Sequence, residues 1–557
     1  MNTKQLLLGT AACMLLAGPA FAQAGATDAP PPPSPKHHRH VSDPLAARLD
    51  RMERLIEEQQ AEIRDLKAKV GSTASEGATS GTATANAAPA PQPQVSAAEF
   101  EALQNQVYEQ AAATKGQASV TVSKKGKPTI ASSDGKYTIS PFVLLQADAA
   151  TFDNSSVSGP KGPSAPVESR SGFNFRRAQI GVQGTVAGDF GYKFVYDFGG
   201  AGGQESGAEN ILNTTTPPDV AINPSGARIQ SAFVTYKGFL DPFTFKVGAF
   251  PTPSNLGDAT SSDDLLLNER PSPSQLSRGL DADDGRDSIG FLGNGDIWNT
   301  SAFLTSDTFG KGQIQGQEAF VGRAAIAPIQ DPVNNVNLHL GGNIGEVFHP
   351  EGVTIASGTP PATNTTCYPI SFSDRPELRE WNVSWINTGN ICAKSAYSAG
   401  IEAAFSYGPF LLQGENFWYG IDRRNPATGA TNPNFGGWYV EGSWVITGEP
   451  RTYSMATASF TRPTPADTFD PSHDAWGAWE LAARYSDTDL DYHATSLISA
   501  DQVRGGEQDI ISAGVNFYPN YNIKFMFDWQ NIDIRRPWSG AFDTKYNAFS
   551  LRTQLSL

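Results

Sequence analysis

The chain predicts an all-β fold: a transmembrane antiparallel β-barrel of about 16 strands, with an N-terminal periplasmic coiled-coil helix. Three observations carry this. Residues 173–198, FNFRRAQIGVQGTVAGDFGYKFVYDF, alternate in polarity with a period of two on both sides of a turn signal. No run of about 18 apolar residues occurs beyond the N-terminus, so no helix is long and apolar enough to cross a bilayer. Segments of roughly ten alternating residues recur to the C-terminus, with tight turns at one end and long polar loops at the other.

The opening stretch sets the grammar. Ala178, Ile180 and Val182 alternate with Gln179, Gly181 and Gln183; after Val186-Ala187-Gly188-Asp189, Phe190, Tyr192, Phe194, Tyr196 and Phe198 share one face. Five aromatics on one face need a second sheet or lipid to cover them, and the polar face then looks into a lumen.

In chain order, residues 1–22 form a secretory signal: Lys4, an apolar run, and the small-x-small pattern Ala20-Phe21-Ala22. Residues 23–42 are a Pro-rich linker whose KHHRH cluster is most simply a solvated segment. Over 43–70, Leu45, Leu49, Met52, Ile56, Gln59, Ile63, Leu66 and Val70 recur at alternating spacings of four and three, a short coiled coil with polar Gln59 in its seam. Residues 71–95 are a low-complexity linker, and 96–134 hold a short helix, opened by Ser96 with Glu99, and a lead-in. The barrel fills 135–557. Its clearest strands are 137–149, 178–185, 190–198, 229–236, 243–250, 320–327, 336–343, 397–406, 410–419, 438–444, 479–486, 511–517, 523–529 and 549–557. Loops 199–228, 251–288, 344–396 and 420–434 are long and polar. About 420 residues at roughly 26 per strand and connection give the even strand count.

A formal net charge of −16 argues against nucleic acid as a partner. Mean hydropathy of −0.34 fits a barrel, in which half of every strand is polar. Beyond the signal, the cysteines are Cys367 and Cys392, in one loop of an exported chain, and a disulfide is expected.

FRRAQIGVQGTVAGDFGYKFVYDF (175–198), IQSAFVTYKG (229–238), PFTFKVGAF (242–250), SSDDLLLNER (261–270), GWYVEGSWVITGEPRTY (437–453), WELAARYSDTDL (479–490) and VNFYPNYNIKFMFDW (515–529) together resemble the phosphate-selective porin O and P family. The resemblance runs across nearly the whole barrel in order. It implies a homotrimer of 16-stranded barrels, often with a periplasmic N-terminal coil, that admits anions through a pore narrowed by its third extracellular loop, here about 251–288. It also implies lumenal arginines and a lysine cluster.

Strand parity turns Arg177, Lys193, Lys246, Arg323, Arg484, Lys524 and Arg552 into the lumen, and turns Arg176 away unless a bulge intervenes. Arg278 and Arg286 stand in or beside the constriction loop. The same parity turns Asp197, Glu402, Glu415, Glu441, Glu480 and Asp528 inward, where they can pair with the bases. The loop itself carries Asp258, Asp263, Asp264, Glu269, Asp281, Asp283, Asp284 and Asp287 against Arg270, Arg278 and Arg286. Counted this way it is acidic, which predicts weak selectivity and no tight phosphate site. Glu269-Arg270 reads as a loop anchor.

Three functions compete. The first is an outer-membrane porin passing small hydrophilic solutes, with phosphate, polyphosphate or other anions among the candidates. The second is a tether of outer membrane to cell wall through the coiled coil. The third is a barrel hydrolase, which needs a nucleophile beside an oriented His; His339 has no partner that sequence identifies. No Walker loop, zinc spacing or dinucleotide fingerprint occurs, so no catalytic residue, metal or cofactor is expected. The expected surroundings are outer-membrane lipid outside the barrel and the periplasm around the N-terminal segment.

Overall fold

The computed structural model describes residues 117–557 apart from 124–125, 154–155, 160–161, 169–170, 200–227, 310–315, 352, 358–362, 381–382 and 537–542. The signal, the coiled coil and both linkers lie outside the described residues. Sixteen antiparallel strands form the wall: β1 Thr138–Phe152, β2 Gly172–Val186, β3 Phe190–Asp197, β4 Arg228–Leu240, β5 Phe243–Ala249, β6 Arg286–Asn294, β7 Trp298–Thr308 and β8 Glu318–Asp331, then β9 Val336–His349, β10 Ile391–Tyr407, β11 Phe410–Arg423, β12 Asn434–Val445, β13 Ala478–Tyr492, β14 Val503–Tyr518, β15 Ile523–Arg535 and β16 Thr544–Ser556. Each pairs with the next. β16 returns to β1, with Leu551 opposite Ala149 and Leu555 opposite Leu145, so the sixteen-stranded wall closes on itself.

Period-two patterning decides the faces. Along β15, Lys524, Met526, Asp528 and Gln530 are buried inside, while Phe525 and Phe527 are exposed on the outer wall. The outer wall elsewhere shows Ile180, Phe194, Leu340, Ile401, Leu412, Trp444 and Leu551, an apolar surface suited to lipid. β6 and β7 were not among the strands singled out above. Their sequences, RDSIGFLGN and WNTSAFLTSDT, are rich in Gly, Asn, Ser and Thr and carry weak alternation, and tertiary pairing with β5 and β8 overrides that weakness.

At one bulge the local register differs from simple parity. Gln146 pairs with Arg177 and Ala147 with Phe175, so Arg176 is the extra residue on β2. The bulge brings both arginines to the lumenal side.

Three connections fold into the barrel. From the loop end, 250–285 carries the short helices α1 Leu256–Ala259 and α2 Ser272–Asp281. Also from the loop end, the connection between β9 and β10 lays Asp374, Glu377, Leu378, Arg379 and Trp385 in buried positions against the inner wall. The third, 446–477, enters from the turn end, where the other connections are short. Its Phe460 packs with Leu256, Leu266 and Leu267 of the first loop. Short turns at one end are therefore a rule with one large exception here.

Cys367 and Cys392 are bonded, tying the second inward loop to the start of β10. Closing a loop of this size contributes about 3 kcal/mol in the chain-entropy description. Thiol labelling without reductant should leave both cysteines unmodified. Reduction should lower the temperature at which the folded barrel is lost on a gel; two free thiols in the untreated protein would refute the bond.

Candidate pore constriction

The first inward loop is held from all sides. The Glu415 carboxylate on β11 accepts from the Leu256 and Gly257 amides at 2.8 and 3.0 Å and from the Tyr439 hydroxyl at 2.6 Å. Asp528 accepts from the Asn268 amide at 2.7 Å, and Glu377 of the second inward loop accepts from the Ser272 amide at 2.9 Å. A carboxylate taking two backbone donors satisfies groups that a buried loop would otherwise leave orphaned.

The anchoring extends to Glu269, which receives Arg176 at 2.8 and 3.1 Å and Arg552 at 2.8 Å; Arg552 also grips Asp148 at 2.7 and 2.6 Å. Burial pushes the Glu269 carboxyl up, but Arg176, Arg552 and Arg177 outweigh it and hold the group well below its ordinary range. Glu269 is a charged loop anchor.

Arginines also meet the other carboxylates of this loop, Asp281 excepted. Arg278 binds Asp258, Asp283 and Asp284, and Arg228 reaches Asp284. Asp263 and Asp264 face Arg462 at 2.7 and 3.6 Å, an arginine supplied by the loop from the turn end. That loop is itself fixed by Arg451, which grips Glu480 at 2.5 and 2.8 Å and donates to the Asp264 carbonyl at 2.7 Å. Arg323 pairs with Glu402 at 2.8 Å and donates to the Thr457 and Ala458 carbonyls. His339 bridges Glu402 at 3.1 Å and the Tyr453 hydroxyl at 2.8 Å, which makes it a wall-to-loop contact. Arg484 pairs with Glu377 at 2.7 Å and Glu441 at 3.1 Å.

The nine bases expected to face solute therefore divide. Arg177, Arg278, Arg286, Arg323, Arg484, Lys524 and Arg552 are buried. Arg177 donates to Gln146, Arg286 to the Ser306 and Leu280 carbonyls, and Lys524 to the Leu265 carbonyl. Lys193 and Lys246 are only half-buried, and among the described residues neither has a carboxylate within ion-pair distance. Their ammonium groups lie over rings instead: Lys193 is 4.0 Å from the centroid of Phe142, and Lys246 is 4.0 Å from Phe233 and 3.8 Å from Phe250. On the first loop, Pro251, Pro253, Ser262 and Asp263 are half-buried and Ser261 is exposed, and the Ser262 carbonyl accepts from Gln146 on β1 at 3.2 Å. The accessible inner surface is thus the part of β1–β5 around Phe142, Lys193, Phe233 and Lys246, while ion pairs hold Asp148, Arg176 and Arg228 elsewhere on the same strands.

Sequence reasoning did not select Arg176, Arg451, Arg462, Glu377, Arg379, Phe142 or Phe233. Phe142 was legible, since it shares parity with Ser140, Gln146 and Asp148. Arg451 and Arg462 were not, because nothing local marks 446–477 as an inward segment.

A closed barrel whose outer wall is apolar and whose lumen is narrowed by inward loops defines an outer-membrane porin, a channel for passive diffusion of small hydrophilic solutes. The family model for phosphate-selective porin O and P matches residues 152–557, and the chain belongs to that family. Porin O of Pseudomonas aeruginosa is 24% identical over 444 residues, covering 76% of this chain and 89% of that protein. An uncharacterized protein of Caulobacter vibrioides is 23% identical over 454 residues, covering 77% of this chain and 76% of its own length. Among solved structures, the anion-selective porin from Comamonas acidovorans aligns with a TM-score of 0.43 at 12% identity, over 76% of this chain and 100% of that one. OmpT, an outer membrane protein of Vibrio cholerae, aligns with a TM-score of 0.41 at 11% identity, over 76% of this chain and 98% of its own.

Two outcomes follow from the buried charges. Arg451→Met leaves Glu480 charged and fully buried, and should cost about 3–5 kcal/mol. The double variant Arg451→Met/Glu480→Gln should recover part of that loss in thermal unfolding of the purified barrel; no recovery would mean the pair is not coupled.

Asp281 differs from its neighbours on the loop. Its Oδ2 has no hydrogen-bond partner, and it fits against β9 only because residue 345 is glycine; a Cβ there would stand 1.7 Å from that oxygen. Burial, only partly offset by Arg286, raises its carboxyl to about 8. An unfolded Asp titrates near 4, so its stabilising contribution is complete below about pH 4 and lost as pH rises through about 8. Asp281→Asn should therefore gain in thermal stability relative to the parent protein between pH 5 and pH 9. A constant difference would show that Asp281 is ionised throughout.

Proposed function

We propose that the channel favours small anions over cations and that Lys193 and Lys246 carry the preference. The observation behind this is the division of charge in the lumen. The carboxylates of the first inward loop, Asp281 apart, are matched by arginines, while the two lysines on the open side have no carboxylate partner among the described residues. Charges already paired at hydrogen-bond distance present little net field to a passing ion, whereas an ammonium with no carboxylate at ion-pair distance keeps a net positive field within a Debye length of about 8 Å. Counting the loop as acidic overlooked Arg462, Arg176 and Arg228, which come from elsewhere in the chain. The family description, phosphate-selective, agrees with anions as the solute class.

The proposed assembly is a homotrimer, exported by residues 1–22, with the 43–70 heptads coiled in the periplasm. Support comes from the heptad spacing and the family resemblance. The tether reading rests on those same residues, outside the described structure.

Reversal potentials across planar bilayers in a KCl gradient test the selectivity. The sign should show chloride passing more readily than potassium. Lys193→Gln/Lys246→Gln should bring the potential toward zero. Arg462→Gln should move it toward cations by releasing Asp263 and Asp264. A parent channel that prefers potassium would overturn the reading.

A further inference from the structure

We propose that the open half of the lumen favours organic anions with a flat apolar body, aromatic carboxylates in particular, over strongly hydrated anions such as inorganic phosphate. This rests on the anion reading and adds the class of solute.

Side chains on the inner face of β1–β5 supply two chemistries side by side. Phe142, Lys193, Phe233 and Lys246 all turn inward, with Lys193 directly across from Phe233 in the β3–β4 register. Phe250, at the end of β5, meets Phe233 edge to face with centroids 5.5 Å apart, and Lys246 lies between the two rings. Glycines flank the rings laterally: Gly181 pairs with Phe142 and Gly248 with Phe233. No side chain from those neighbours covers the ring faces. Gly248 also has φ of +133°, a conformation that strongly favours glycine.

Neither ammonium donates to a protein acceptor among the described residues, so each retains donors for a solute oxygen. A carboxylate can take those donors while its ring packs offset or edge-on against Phe142 or Phe233. Phosphate lacks an apolar body and must give up hydration against ring faces that return no hydrogen bond. The guanidinium forks that bind such oxyanions well, those of Arg176, Arg323, Arg451 and Arg552, are occupied by carboxylates.

The experiment uses the full-length purified channel in planar bilayers, with potassium chloride on one side and potassium benzoate, acetate or phosphate on the other. Benzoate is larger than acetate, so simple sieving gives acetate the higher permeability. The expected result is benzoate permeating at least as well as acetate and roughly 2- to 10-fold better than phosphate. Phe233→Leu should lower the benzoate-to-acetate ratio, and Phe142→Leu provides a second reading if the first variant fails to insert. Acetate well ahead of benzoate in the parent channel, with chloride still ahead of potassium, would overturn the inference and leave the anion reading standing. Unchanged ratios in both variants would overturn the role of the rings. Potassium ahead of chloride would overturn both.

Discussion

The structure depends on one constraint: a charge enclosed in the lumen must meet an opposite charge or a full set of hydrogen-bond partners. An unpaired carboxylate or guanidinium out of water costs several kcal/mol, and a well-fitted pair roughly recovers that cost. This chain answers with arginines and carboxylates drawn from remote parts of the sequence. Arg552 on the last strand, Asp148 on the first and Glu269 on the first inward loop form one cluster, so barrel closure and loop position are set together. Remove Arg552 and the two carboxylates it joins lose their shared cation.

That constraint explains how loops from opposite ends come to meet. The 446–477 segment has no long apolar run to bury, yet Arg451 and Arg462 bring it to Glu480, Asp263 and Asp264. Its backbone carbonyls at Met455, Thr457 and Ala458 are taken by Asn299 and Arg323 from the wall. Apolar packing is present but local, with Phe460 against Leu256 and Leu266. Polar satisfaction positions the segment, and the small apolar cluster locks it.

The wall was readable because period-two alternation is a local property. Any ten residues such as those of β13 or β15 report their own faces, so the inward orientation of Arg323, Arg484 and Arg552 follows from neighbours two positions away. Partner choice was not readable, because it joins elements separated by tens to hundreds of residues; Arg451 meets Glu480 across 29 positions and Arg552 meets Asp148 across 404. The Arg176 bulge shows the limit even within a strand. A single inserted residue reverses parity, and two adjacent arginines carry no signal for which is the extra one. The lumenal Phe142 and Phe233 illustrate a different limit. Aromatics in a barrel are read as lipid-facing by default, and only their parity with Ser140 and Ser231 contradicts it.

Selectivity in such a channel is set by what remains after pairing. A net charge, or a count over one loop, weighs every residue equally, whereas a permeating ion responds to unpaired groups within reach. In this lumen seven of the nine expected bases are buried; several are held in salt bridges and others by neutral acceptors, while Lys193 and Lys246 lie against rings on the accessible side. A ring beside an ammonium shields one flank of the charge without neutralising it, since the π face attracts the cation but carries no net charge. The open half of the wall is therefore both weakly cationic and partly apolar. Reading a family's solute from its arginines alone would miss that combination, because the arginines here serve the architecture.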